Sequence, residues 1–281
     1  MFDADVSLVN SVPRSELPRS QEEIAVNIAR KGLRVGVMIP ENNTTVEREL
    51  PRWLPAGTTL NLVRIPRGKG LLTTETLPAY KANALALAQQ FATNDIDVVA
   101  YGCTAAGFIL GPAGDRELTE DLRRITGKPV ATIAQSMISA LLDLGVQRIA
   151  LVTPYSKAVN EQLQAFIVSA GIQVGAFDSF YAPNTEELGR IDAEAVASLA
   201  RKTMNDSCEA MYIACAQLPT FSILEQLRRE LGRPVLSSIQ SLADEIASLA
   251  SGGYPDPAKG TDSDGDRVGA TTRTARQGTP P

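Results

Sequence analysis

The stretch RVGVMIPENNTTVE at residues 34–47 resembles the stretch RIALVTPYSKAVNE at residues 148–161. Two further pairs of matching segments occur in the same order and at nearly constant spacing, DVVAYGCTAAGF (97–108) with EAMYIACAQLPTF (209–221) and GKPVATIAQS (127–136) with GRPVLSSIQS (232–241). Three matches in one order indicate an internal repeat. The sequence therefore predicts two similar lobes that face each other across a pseudo-twofold axis.

Apolar runs of the kind found in buried strands alternate with helical patterns through most of the chain. The predicted strands are Leu33–Ile39, Leu60–Ile65, Asp97–Tyr101, Val130–Ile133, Ile149–Thr153, Gln173–Phe177, Ala210–Ala214 and Val235–Ser238. Such alternation is typical of parallel sheets that helices cover on both faces. We therefore predict an α/β fold with two lobes, each a parallel sheet flanked by helices, and an active site in the cleft between them.

The two ends of the chain depart from this alternation. Residues 1–32 are predicted to be an N-terminal extension, in which Ser20 and Glu23 form a capping box for a short helix over Gln21–Arg30. Residues 251–281 are rich in Gly and Pro and poor in branched aliphatic residues. A segment of this composition buries too little apolar surface to fold, so we predict a disordered tail.

Composition excludes several classes of function. A chain of 281 residues with a net charge of -5 lacks the basic surface of a nucleic-acid-binding protein. No apolar run is long enough to span a membrane, and the three cysteines together with the N-terminal sequence favour a cytoplasmic location. The chain contains no histidine, so a Ser-His-Asp triad and a His-ligated metal are excluded. We expect neither a metal nor a cofactor.

Two cysteines occupy equivalent positions in the repeat. Cys103 and Cys215 each follow an apolar strand and precede small or turn-forming residues. Ligands bind beyond the carboxyl ends of parallel strands, where a helix N-terminus can also lower the pKa of a thiol. A single cysteine at such a place usually only packs as a small apolar residue, but a matched pair favours catalysis. Cys208 has no partner in the repeat and is predicted to be a packing residue.

Polar residues near the strand ends have two possible roles. Asn43 follows the first strand, where its amide can cap a helix or bind a carboxylate. Tyr155 lies in the matching loop of the second half, where it can donate a hydrogen bond or pack between the lobes. Asn184 can reach the cleft, although capping of a nearby helix is the simpler interpretation.

Four motifs together resemble those of the aspartate/glutamate racemase superfamily, namely Pro40–Glu47, Tyr101–Cys103, Pro154–Tyr155 and Cys215–Pro219. Within this superfamily the chain is most similar to the maleate cis-trans isomerases, and it also resembles a branch linked to ectoine utilisation. The arylmalonate decarboxylase branch is a more distant relative, because it has glycine in place of the first cysteine.

The resemblance implies a role for each of the matching residues. Cys103 would be the nucleophile and Cys215 its acid/base partner, while Asn43, Tyr155 and Asn184 would hold the substrate carboxylates. Thr104 and Gln217, which follow the two cysteines, would contact the substrate as well. The resemblance also implies a homodimer.

The same resemblance implies that the two lobes exchange their last elements. Residues 33–128 with 235–250 would form the first lobe, and residues 129–234 would form the second.

The resulting functional prediction is a cofactor-independent isomerase that converts a small dicarboxylate such as maleate to fumarate. The alternative is a two-thiol racemase or epimerase that acts on an amino acid or an ectoine-pathway intermediate. A non-enzymatic sensor of small acids is a third interpretation, but binding alone does not need thiols at both cleft positions. The expected partner is thus a small carboxylate, without nucleic acid or membrane.

Overall fold

The computed structural model describes residues 32–67 and 70–252 of the chain. The predicted extension over 1–32 and the predicted tail over 251–281 lie outside the described residues, except at their innermost positions. Within the described ranges, no helix is long and apolar enough to cross a membrane.

The strands of the described chain form two parallel sheets with the same internal order. The first sheet has the order β2-β1-β3-β4 and contains β1 (Arg34–Pro40), β2 (Thr59–Ile65), β3 (Val98–Tyr101) and β4 (Val130–Thr132). The second sheet has the order β6-β5-β7-β8 and contains β5 (Arg148–Thr153), β6 (Gln173–Ser179), β7 (Ala210–Ile213) and β8 (Val235–Ser237). The predicted α/β fold with two similar parallel sheets is confirmed.

Helices follow the strands and cover the sheets. They are α1 (Thr45–Trp53), α2 (Leu77–Ala88), α3 (Gln90–Thr93), α4 (Thr104–Phe108), α5 (Gly111–Thr126), α6 (Ile133–Asp143), α7 (Lys157–Ser169), α8 (Thr185–Gly189), α9 (Ala193–Thr203), α10 (Leu224–Leu231) and α11 (Ser238–Ala250). Every residue of β3 and β7 is buried. Both faces of these central strands are therefore covered, which explains why their sequences are continuously apolar.

The predicted exchange between the lobes is wrong for the strands. β4 pairs with β3 in the first sheet, and β8 pairs with β7 in the second. Each of these three-residue strands follows a helix that crosses back over its own sheet, so it joins that sheet at the adjacent edge. The last helix, α11, does cross between lobes, because its Leu242 and Ile246 pack in a cluster with Val35 of the first sheet.

The third pair of matching segments forms equivalent turns in the two lobes. Gly127 ends α5 and Gly232 ends α10, with φ values of 65° and 58°. Glycine suits this left-handed geometry because it has no Cβ. Thr132 and Ser237 then cap α6 and α11, since each hydroxyl accepts a hydrogen bond from the third residue of the helix that follows. The local sequence thus determines how both strand–helix junctions are built.

Candidate active site

The structure brings the two matched cysteines to one cavity. Cys103 lies between β3 and α4, while Cys215 lies two positions beyond the end of β7. Since β3 and β7 hold the same place in the two sheets, their carboxyl ends carry both thiols to the wall of a cavity of about 550 Å³, part of it open to solvent. The cysteines are only 4% and 7% exposed. Cys208 does not line this cavity and is buried in the core.

Six of the seven predicted site residues line the cavity, namely Asn43, Cys103, Thr104, Tyr155, Cys215 and Gln217. Asn184 is the exception. Its Oδ1 accepts a hydrogen bond of 2.9 Å from the backbone N–H of Glu187 and so caps α8. The next residue, Thr185, lines the cavity instead. The position of Asn184 therefore supports the capping interpretation.

Asn43 caps a helix and also lines the cavity, so the structure is compatible with both roles that the sequence left open. Its Oδ1 accepts hydrogen bonds of 3.0 Å from the backbone N–H groups of Thr45 and Val46, at the start of α1. This pairing orients the side chain, which is only 4% exposed. The described residues provide no hydrogen-bond acceptor for Nδ2. Because Asn43 lines the cavity, its Nδ2 group is available to donate a hydrogen bond to a ligand.

Thr104 and Gln217 tie the lobes together at the cavity. The Thr104 hydroxyl accepts a hydrogen bond from the backbone N–H of Ala216 at 3.2 Å. The Gln217 side chain accepts a hydrogen bond from the backbone N–H of Thr44 at 3.3 Å, and the Gln217 backbone carbonyl accepts one from the Thr45 hydroxyl at 2.9 Å. The loop after Cys215 is therefore held against the first lobe by residues that sequence reasoning assigned to substrate.

Tyr155 places a phenol at the cavity wall. The ring is 6% exposed and packs edge-on against Phe108, with the ring centres 5.7 Å apart. Its carbonyl accepts hydrogen bonds from Asn160 and Ser179, which anchor the backbone. The hydroxyl is buried and has no hydrogen-bond partner among the described residues. Burial above all, and then the neighbouring Cys215, raises the pKa of this phenol. It remains a neutral hydrogen-bond donor at physiological pH.

The electrostatic environment of Cys215 differs from the sequence expectation. Burial raises the pKa of this thiol, and a hydrogen bond from the backbone N–H of Gln217, 3.4 Å from the sulfur, offsets only part of the effect. The expectation that a helix N-terminus lowers the pKa is wrong at this position. Cys215 is followed by turns, and the next helix, α10, begins only at Leu224. The buried thiol is consequently protonated at neutral pH.

Two more phenols surround Cys103. Tyr80 of α2 and Tyr101 of β3 are buried, and both hydroxyls lack a hydrogen-bond partner within the described chain. Burial raises the pKa of each phenol, and the adjacent Cys103 raises both further. Neither phenol is among the residues that line the cavity, but both interact with Cys103, and a neutral phenol can donate a hydrogen bond to a thiolate.

Sequence reasoning missed one cation, one threonine and several apolar residues of the cavity wall. The unforeseen lining residues include Arg67, Leu71, Leu72, Val159, Thr185 and Leu188. Arg67 lies just beyond the carboxyl end of β2, which is the edge at which parallel sheets bind ligands. Its position after a predicted strand was the sequence signal that could have identified Arg67 as a site residue.

Known proteins resemble this chain over most of its length. Residues 66–261 match the arylmalonate decarboxylase family. The maleate isomerase of Geobacillus stearothermophilus is 27% identical, with 77% of this chain and 91% of the relative covered. The arylmalonate decarboxylase of Bordetella bronchiseptica is also 27% identical, with 78% and 91% covered.

One similar solved structure contains a covalently modified cysteine. It is a cysteine-to-serine mutant of Nocardia farcinica maleate cis-trans isomerase with a covalently bound succinylcysteine intermediate. The TM-score is 0.72 at 26% identity, with 79% of this chain and 94% of that chain covered. Because the family match spans more than half of the chain, the protein belongs to the arylmalonate decarboxylase family, which is a family of enzymes.

Proposed function

We propose that the protein is a cofactor-independent cis-trans isomerase that converts maleate, or a closely similar dicarboxylate, to the trans isomer. The observation that carries this proposal is that Cys103 and Cys215, one from each lobe, line the same cavity. The covalent succinylcysteine in the Nocardia farcinica relative supports a mechanism in which one cysteine bonds to the substrate. The arylmalonate decarboxylase alternative is disfavoured by the cysteine at position 103, because that branch has glycine there.

The first step is addition of the Cys103 thiolate to one alkene carbon of maleate. A sulfur–carbon bond forms, and the π electrons move onto the other alkene carbon and its carboxylate as an enediolate. Asn43 and Tyr155 each offer an unpaired donor on the cavity wall to this developing charge. Donors that are held in place before the reaction stabilise such a charge without having to reorganise.

The second step is proton transfer by Cys215. Its thiol, kept protonated by burial, donates a proton to the enediolate carbon and leaves a succinyl group on Cys103. The former double bond is now single, so the two carboxylates can rotate apart. The Cys215 thiolate then removes the proton, the sulfur–carbon bond breaks, and the trans alkene forms. Both cysteines return to their starting states.

The test is incubation of the purified protein with maleate in deuterated buffer, followed by proton NMR. We expect fumarate from the wild type. Cys103→Ser should abolish turnover, because the chain has no histidine to activate a serine hydroxyl. Cys215→Ser should stop turnover but accumulate an adduct of one substrate mass, visible by intact-mass spectrometry.

The matched control is Cys208→Ser, which alters the one cysteine of the chain that does not line the cavity. This variant should retain turnover. Full activity of Cys103→Ser would overturn the nucleophile assignment. Solvent deuterium entering the α-carbon of a chiral acid, with no fumarate from maleate, would favour the two-thiol racemase instead.

A further inference from the structure

Arg67 gives the cavity its positive charge. It follows β2 at the rim of the first sheet, and its backbone N–H donates a hydrogen bond of 2.9 Å to Oε1 of Glu41. Among the described residues that line the cavity, Arg67 is the single cation, and none is Asp or Glu. The described wall therefore carries a net charge of the sign that attracts an anion.

No contact within residues 32–67 and 70–252 pairs the guanidinium group of Arg67. Among the described residues, its buried Nε has no hydrogen-bond partner, and no ion pair involves Arg67. Arg64, three residues earlier, shows the contrast, because it pairs with Glu47 and donates to the Asn43 carbonyl. Buried polar groups are nearly always paired in folded proteins, so an unpaired guanidinium at a cavity points to a ligand.

We propose that Arg67 binds the substrate carboxylate attached to the carbon that Cys103 attacks, which takes up no new charge in the reaction, and so selects dicarboxylates over monocarboxylates. The identity of the reacting molecule rests on the function proposed above. The planar guanidinium matches a carboxylate through two parallel hydrogen bonds, which an amide or phenol cannot provide. Its charge also reaches the reacting groups, since it acts against the effect of burial on the pKa of Cys215.

This assignment predicts a specific kinetic pattern. The carboxylate on the attacked carbon carries the same charge in the substrate and in the transition state, so the bond to Arg67 contributes equally to both. Arg67→Gln should therefore raise KM for maleate about 10- to 100-fold and change kcat only slightly. For maleamate, in which a neutral amide replaces one carboxylate, the same substitution should leave kcat/KM nearly unchanged. Arg67→Lys should recover part of the loss.

The control is Arg229→Gln, which removes the same charge from an exposed surface pair with Glu225. It should leave KM for maleate at the wild-type value. An unchanged KM in Arg67→Gln, with maleate turnover intact, would overturn the role of Arg67 while the proposed function stands.

A second measurement does not depend on turnover. Succinate, a dicarboxylate without an alkene, should slow alkylation of the cavity cysteines by iodoacetamide in the wild type, and butyrate should not. Arg67→Gln should lose this protection. If protection depends on Arg67 but maleate is not converted, the proposed function fails and the carboxylate site stands. If succinate protects both proteins equally, or protects neither, the role of Arg67 is refuted.

Discussion

Glu49 of α1 holds the loop that follows Cys215 against the first lobe. The residue is only 8% exposed, and its carboxylate accepts hydrogen bonds from the backbone N–H groups of Thr220, at 3.0 and 3.1 Å, and of Phe221, at 3.0 Å. The Thr220 hydroxyl also donates to it at 3.3 Å and lies 3.0 Å from the Ser237 hydroxyl. Replacement of Glu49 by alanine should therefore weaken the contact between this loop and the first lobe and lower the free energy of unfolding.

The expected loss of stability follows from the backbone groups that lose their hydrogen-bond acceptor. In Glu49→Ala the Thr220 hydroxyl keeps Ser237, but the two backbone N–H groups keep no acceptor. An unsatisfied buried donor costs about 1–3 kcal/mol, so the free energy of unfolding should fall by about 4 kcal/mol. Glu49→Gln retains one acceptor oxygen and should lose about half as much.

The assay is equilibrium unfolding in urea, with the midpoint and slope both fitted. The control is Glu47→Ala on the same helix, where an exposed carboxylate pairs with Arg64 and should contribute less than about 1 kcal/mol. The reasoning is refuted if Glu49→Ala lies within about 1 kcal/mol of the wild type, or if it is no less stable than the Glu47→Ala control.

Two further substitutions test the packing behind Cys103. Burial raises the pKa of Asp115 to about 6, so wild-type stability should fall by about 3 kcal/mol as the pH rises from about 4 through 6. Asp115→Asn should flatten this part of a plot of Tm against pH, and an unaltered slope would contradict the assignment. A Cβ at Gly107 would lie 2.5 Å from the Cβ of Ala134, so Gly107→Ala should lower stability by about 1–3 kcal/mol in thermal unfolding. Gly70→Ala, where a Cβ meets no atom within 4 Å, is the control, and equal effects at the two glycines would rule out the overpacking explanation.

The sequence by itself determined the strands, the repeat and the position of the two catalytic candidates. The apolar run LRVGVMI predicts a strand over Leu33–Ile39, and β1 covers Arg34–Pro40. This agreement is close because a strand buried on both faces must be apolar along its length, which a local pattern reveals. The repeat then placed Cys103 and Cys215 at equivalent strand ends, and parallel topology brings such ends together.

Tertiary structure alone decided which sheet each short strand joins. The segments at Val130 and Val235 are equally apolar, and both belong to strands only three residues long. Their pairing depends on where the preceding helix crosses the sheet, and no local pattern records that path. The resemblance to a known family implied an exchange, and the structure assigns the exchange to α11 instead.

The chemistry of the site also depends on contacts between residues far apart in the chain. The raised pKa of Cys215 comes first from burial by both lobes, which outweighs the local hydrogen bond from Gln217. Arg67 is significant because it lines the same cavity as Cys215, 148 positions later in a sequence that shows no link between them. Burial and electrostatic fields are sums over spatial neighbours, so they exist only once the two lobes have packed together.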